Sequence, residues 1–116
     1  MSYDLNFWRY TPGSSGDHQS VYERLSDGQH VEDLEDLPIQ EIRAEIATAF
    51  SDGWTQSGPD HWECSSAAFQ LFTTPQFLRV DCYRMGGEDM NRFIDVLQRY
   101  GCPLYDPRVG ERFVIG

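Results

Sequence analysis

Around the turn-forming triplet Thr74-Pro75-Gln76, apolar side chains fall at every second position. Phe69 and Leu71 alternate with polar neighbours before it, and Leu78, Val80 and Cys82 alternate with Arg79, Asp81 and Tyr83 after it. A two-residue period is the period of a strand with one apolar face, so this stretch reads as a β-hairpin. Gly86-Gly87 ends the return strand, and the period then changes. Met90, Phe93, Leu97 and Tyr100 recur at spacings of three and four, which predicts a helix over residues 88–100. Glu88 and Asp89 suit its positive N-terminal end, and Gly101 supplies the stop.

The same reading extends towards the N-terminus. Residues 3–10 place Tyr3, Leu5 and Phe7 on one side and Asp4, Asn6 and Trp8 on the other, as a strand does, and residues 11–16 break it with turn-forming residues. Asp17 can cap a short helix that carries Val21 and Leu25 four residues apart and closes at Gly28. Val31, Leu34 and Leu37 recur every third residue and give one apolar edge to a turn or helix. Pro38 suits the first turn of a further helix, along which Ile39, Ile42, Ile46, Ala49 and Phe50 form a stripe while Glu41 and Glu45 fall on the outer side. Residues 53–60 read as a polar loop. Trp62 and Cys64 begin the β-forming half, and Ser65-Ser66 is a break before the hairpin. The tail, residues 102–113, holds a short strand, a Pro/Gly turn and an extended exit. The order strand, helices, strand pair, helix, strand is that of an α+β, ferredoxin-like βαββαβ sandwich. Its antiparallel sheet has helices on one face, and a helical insertion precedes the central hairpin.

A chain of 116 residues is the size of one domain, so residues 1–116 are expected to form a single folded unit. No apolar run approaches the length of a membrane span, and the first residues, Met1-Ser2-Tyr3-Asp4, lack the basic start and apolar stretch of a secretory signal. The expectation is a soluble cytoplasmic protein. Cys64, Cys82 and Cys102 are then free thiols.

Charge is placed unevenly. Residues 17–63 hold twelve acids against Arg24 and Arg43, whereas the rest of the chain balances seven acids with seven arginines, so the whole net charge of -10 lies in one segment. Such a segment opposes nucleic acid and anionic membranes and suits a basic protein partner. It equally suits a surface that only keeps the protein dissolved.

No catalytic or metal site is expected. His61, Cys64, Cys82 and Cys102 amount to one histidine and three cysteines, but a zinc site wants close-spaced pairs on tight loops and only His61/Cys64 is such a pair. Cys102 follows a helix, at the negative end of its dipole, where a thiolate is disfavoured. Glu32, Asp33, Glu35 and Asp36 read as a solvated run. Gly86-Gly87 lacks both the lysine and the third glycine of nucleotide-binding loops. No cofactor is expected. Trp8, Trp54 and Trp62 flank the acidic region, where exposed aromatics beside acids would anchor a basic partner and buried ones would fill the core; of the three, Trp54 in its loop is expected to be exposed.

Three stretches carry a resemblance: Ser2-Tyr3-Asp4-Leu5-Asn6-Phe7-Trp8, Phe72-Thr73-Thr74-Pro75-Gln76-Phe77 and Cys102-Pro103-Leu104-Tyr105-Asp106-Pro107. With its acidity, the chain resembles small bacterial immunity proteins of contact-dependent inhibition and other polymorphic toxin systems. The resemblance implies a protein that is not an enzyme and that neutralises a cognate toxin domain, a nuclease, by binding it. The surface expected to do so comprises Glu32, Asp33, Glu35, Asp36, Glu41, Glu45, Trp54 and Trp8. Two other readings stand beside it: a small enzyme or ligand-binding domain using the sheet face, which a deep polar pocket with a shifted carboxylate would favour, and a housekeeping interaction module.

Overall fold

The computed structural model describes residues 2–108 and 110–113; Val109, within the tail, lies outside the described residues. The elements in chain order are β1 (Ser2–Phe7), α1 (His18–Ser26), α2 (Ile39–Ala49), β2 (Thr55–Gly58), β3 (His61–Glu63), β4 (Ala68–Thr74), β5 (Phe77–Tyr83), α3 (Gly87–Arg99), β6 (Leu104–Asp106) and β7 (Glu111–Phe113). They build one sheet in the order β2-β3-β4-β5-β1-β6-β7, with every neighbouring pair antiparallel. Its centre, β4-β5-β1-β6, has the ferredoxin-like strand order, with β2 and β3 added at one edge and β7 at the other.

The hairpin forms as its alternation requires. Leu71 stands opposite Val80 and Phe69 opposite Cys82, and across the next strand pair Leu5 stands opposite Val80 and Phe7 opposite Leu78. These side chains share one face, on which α2 and α3 pack against each other and bury Ile42, Ile46, Phe93, Val96 and Leu97. Phe50 stacks on Phe93 with centroids 4.7 Å apart, and Trp62 on Phe69 at 5.1 Å.

The inserted helix α1 lies on the opposite face. Trp8, Phe77 and Tyr105 pack with its Val21 and Leu25, and each sits one position away from a residue of the first core, namely Phe7, Leu78 and Leu104. The single-faced helical layer expected from sequence therefore holds for α2 and α3, and α1 adds cover to the other side. Asp17 caps α1 by accepting from the Ser20 amide. Gly28 and Gly101 close α1 and α3 at φ of +78° and +76°, a conformation costly for any residue with a Cβ.

One expectation shifts. Residues 55–58 are a strand, not loop: β2 pairs with β3 through a register shift between Gln56 and Gly58 and its side chains are largely exposed, so no apolar alternation announced it. Of the turn or helix expected to carry Val31, Leu34 and Leu37, the turn is the one that forms, with all three buried and the segment tied to the body by the Tyr10–Leu34 bridge.

Candidate functional site

The acids expected to meet a partner lie in two places, while Asp17, Glu23, Asp27, Asp52 and Glu63 are exposed elsewhere along the acidic segment. The first is the turn between α1 and α2. Glu32, Asp33 and Asp36 are exposed there and make no ion pair among the described residues, and Asp33 adopts a left-handed φ of 65°. The segment folds this way because its apolar residues go inward and its backbone is held from below. The Val31 amide donates to Gln76 Oε1 at 2.9 Å, and Gln76 Nε2 donates to the carbonyls of Val31 at 2.8 Å and Leu34 at 3.4 Å. With both its backbone and its apolar side chains committed, the turn presents its carboxylates, with Gln29, His30 and Pro38, to solvent.

The second place is the outer face of α2, where Glu41 and Glu45 lie one helical turn apart. Glu41 is exposed. Glu45 is half-buried; it accepts from Arg99 Nη1 at 2.8 Å and from the Tyr100 hydroxyl. The Glu45 hydrogen bond, then burial and the charges of Glu41 and Glu45, push the Tyr100 phenol up to about 12. Tyr100 therefore stays a neutral donor to Glu45 at any physiological pH.

Arg9 joins the two places. Its guanidinium donates to the Tyr100 carbonyl at 2.7 Å and the Asp36 carbonyl at 3.3 Å, and its Nε lies 3.8 Å from Glu35. The contacts Glu35/Asp36–Arg9–Tyr100–Glu45 link the turn to the outer side of α2 and α3. Sequence reasoning missed Arg9 and Arg99 and assigned Tyr100 to the helical core stripe. These contacts span 54 to 91 residues of chain, so no local pattern signals them.

The two tryptophans expected at this surface are elsewhere. Trp8 is 0% exposed, enclosed by Tyr105, Phe77, Tyr10 and His18, so the reading in which it fills the core is the one realised. It directly follows β1 and packs with Val21 and Leu25 of α1. Trp54 is only half-buried, but its ring packs against Phe50 and Phe69 at the sheet edge, so its loop position did not leave it exposed. Of the expected set, Glu35, Asp36 and Glu45 are brought into one network, Glu32, Asp33 and Glu41 flank it, and Trp8 and Trp54 stand apart. Trp62, the third tryptophan, is core.

The seven arginines 9, 24, 43, 79, 92, 99 and 108 are each engaged within the fold: Arg43 by Asp60, Arg79 by Asp81, Arg92 by Asp89, Arg99 by Glu45, Arg108 by Asp106, Arg9 as described, and Arg24 by donation to Gln29 and the His30 carbonyl. Most of the described positive charge is thus paired within the fold, with the exposed Arg84 in no ion pair among the described residues.

Among the described residues no three His, Cys, Asp or Glu side chains converge in a way that would hold a metal ion. Burial, with the charges of Asp81 and Asp4, pushes the Cys82 thiol up to about 12, which keeps it protonated and unreactive. Asp4 faces Asp81 across the β1–β5 pair, and its carboxyl is raised by burial and then by the hydrogen bond and charge of Asp81, with Arg79 and Arg108 acting against the shift. It lines a cleft of about 90 Å³ with Tyr3, Asp106, Pro107 and Arg108. That is well below the roughly 300–1,000 Å³ of ligand sites, so the raised carboxylate does not come with the deep pocket that an enzyme reading needs. No helix among the described residues is long and apolar enough to cross a membrane.

Comparison of the chain with family models, with curated proteins and with solved structures finds no match in any of the three.

Proposed function

We propose that this chain is an immunity protein: a non-catalytic cytoplasmic inhibitor that binds a basic toxin domain, a nuclease, through the acidic surface running from Glu32 to Glu45. One observation carries the reading. The described arginines are mostly engaged in the fold, while Glu32, Asp33, Asp36 and Glu41 are exposed and make no ion pair among the described residues. A toxin that cleaves nucleic acid needs a cationic substrate surface, and an inhibitor of opposite sign is steered to that surface and covers it. The sequence resemblance to immunity proteins points the same way.

The test is co-expression with the C-terminal domain encoded by the gene immediately upstream. Growth arrest by that domain alone, relieved when this chain is present, together with a stable complex of the two purified proteins, is the expected result. A complex that fails to form, or arrest that persists, overturns the proposal.

A further inference from the structure

The chain enters and leaves the region of α1 through a neck. The Thr11 amide donates to the Asp33 carbonyl at 2.9 Å and the Glu35 amide to the Arg9 carbonyl at 3.0 Å, one on each side of the Tyr10–Leu34 bridge. This short antiparallel ladder is secured to the body without α1: Arg9 reaches the Tyr100 carbonyl, and Gln76 holds the carbonyls of Val31 and Leu34. The segment between, with α1 in it, is an excursion whose two ends already meet.

Glycines bracket the helix within that excursion. Gly13 and Gly28 have φ of +80° and +78°, and among the described residues no other part of the chain lies within 4 Å of where either would carry a Cβ. Open space and a backbone without a Cβ leave both turns able to rotate. Between them, α1 rests on the sheet through Val21 and Leu25, over Trp8, Phe77 and Tyr105. Hydroxyls tie it at one end, Tyr105 donating to Gln19 at 2.6 Å and Tyr10 meeting His18 Nδ1 at 2.8 Å. A helix of nine residues is too short to hold itself together in water, so α1 keeps its backbone bonds only while it is seated. Lifting it therefore releases those bonds together.

We propose that residues 13–28 are a lid, hinged at Gly13 and Gly28, which lifts from the sheet as one unit and uncovers the aromatic floor of Trp8, Phe77 and Tyr105 while the neck, the sheet, α2 and α3 stay folded. The lid does not depend on the identity of any partner. It makes the second face of the sheet one that the chain can both cover and present.

Native-state hydrogen exchange of the isotopically labelled full chain, followed by NMR in low concentrations of urea, tests this. The amides from Val21 to Leu25 should exchange at one common level of protection that falls with urea, because lifting the lid exposes apolar surface. They should exchange at least about tenfold faster than Thr11 and Glu35 in the neck and Val80 in the central strand. Gln19→Ala from the lid side and Tyr105→Phe from the floor side each remove the same hydrogen bond, and each should speed the α1 amides about fivefold, the loss expected of one such bond, with the neck and Val80 unchanged. Exchange of the α1 amides at the rate of Val80 would mean that α1 opens only when the whole chain unfolds. Rates that are indifferent to urea and graded from the helix ends would mean fraying, and neck amides that exchange together with α1 would mean that the neck is no hinge base. Each of these three results, or equal acceleration of α1 and Val80 in the two variants, overturns the proposal.

Discussion

The two faces of the sheet are covered by different means. On the first, α2 and α3 satisfy their own backbones, and it is mainly apolar side chains that meet the strands: Phe50, Phe93, Ile42, Ile46 and Leu97 against Leu5, Phe7, Leu78 and Val80, with Arg43 to Thr73 a polar contact at the margin. On the second, α1 and the turn-rich segment behind it lie over Trp8, Phe77 and Tyr105, and here polar tips do part of the holding. The Tyr105 hydroxyl donates to Gln19 at 2.6 Å, the Tyr10 hydroxyl meets His18 Nδ1 at 2.8 Å, and Gln76 serves both the amide and the carbonyl of Val31. A helix needs only the right apolar period to cover a sheet. A loop laid over a sheet has backbone groups that must find partners elsewhere, and a few specific side chains supply them.

If that contrast is right, the heaviest single loss lies on the first face. Phe93→Ala removes a ring in contact with Phe50 and Phe69 and should cost about 3–5 kcal/mol, the range for a buried phenyl group. Urea denaturation monitored by circular dichroism reads it. A midpoint near wild type would mean that α3 does not carry the core.

Next comes the second face. Gln76→Ala leaves the amide of Val31 and the carbonyls of Val31 and Leu34 without their partner, which should cost about 1–3 kcal/mol. The loss should be local first. Hydrogen exchange at Val31 should accelerate more than exchange at Val80 in the central strand, whereas Phe93→Ala should speed both. Equal acceleration at the two amides after Gln76→Ala would erase the distinction between the faces.

The same contrast governs what could be read from the chain. Periodic elements were legible: the Phe69–Cys82 hairpin, the Ile42/Ile46 stripe, α3 from its Phe93/Leu97 spacing, and α1 from its Asp17 cap and Gly28 stop all occur where the side-chain pattern puts them. Residues that act across long sequence distance were not. Gln76 looked like a turn residue and is a buried plug 45 positions from its partner. Trp8 looked available as an anchor because a strand's alternate face is open until a loop covers it. Thr55–Gly58 pairs through its backbone with exposed side chains, so its composition is that of a loop. The acids of the candidate surface were legible as charge, but their junction through Arg9 and Tyr100 exists only in three dimensions.

A smaller effect of opposite sign is expected on the polar face. Asp4 and Asp81 are direct cross-strand partners, with Arg79 3.1 Å from Asp81. Because the Asp4 pKa is raised in the folded chain above its ordinary 3.8, folding takes up protons in the window between the two values. Stability therefore falls as pH rises through that window and stays at the lower level above it. Asp4→Asn removes the like-charge pair and should leave the protein more stable than wild type at neutral pH by about 0.2–1 kcal/mol, with the gain vanishing below the ordinary carboxyl pKa. Urea midpoints from neutral pH down to about pH 3.5 read the difference. A variant less stable than wild type at neutral pH would show that Asp4 is held there by Arg79 and Arg108 more strongly than it is repelled by Asp81.

The smallest effect on stability, and the largest on association, should come from reversing charge at Glu32, Asp33, Glu35 and Asp36. Three of these are exposed and make no ion pair among the described residues, and Glu35 meets Arg9 only at 3.8 Å, while Arg9 keeps its bonds to the backbone carbonyls of Tyr100 and Asp36. The fold should therefore change by no more than about 0.5 kcal/mol. A loss as large as that of Gln76→Ala would mean that the turn is held by its charges, against the claim that Gln76 and the buried Val31 and Leu34 hold it. Association with a basic toxin domain should slow, because steering acts on the encounter rate. It is screened over about 8–10 Å at moderate salt, so the wild-type rate should fall steeply with ionic strength, the variant's rate should be flatter, and the two should converge at high salt. If stopped-flow rates for a cognate toxin ignore both the four substitutions and the salt, this turn only keeps the protein dissolved. Recognition must then rest on short-range contacts elsewhere on the surface, because a surface that attracts only through its field must respond to both charge and salt.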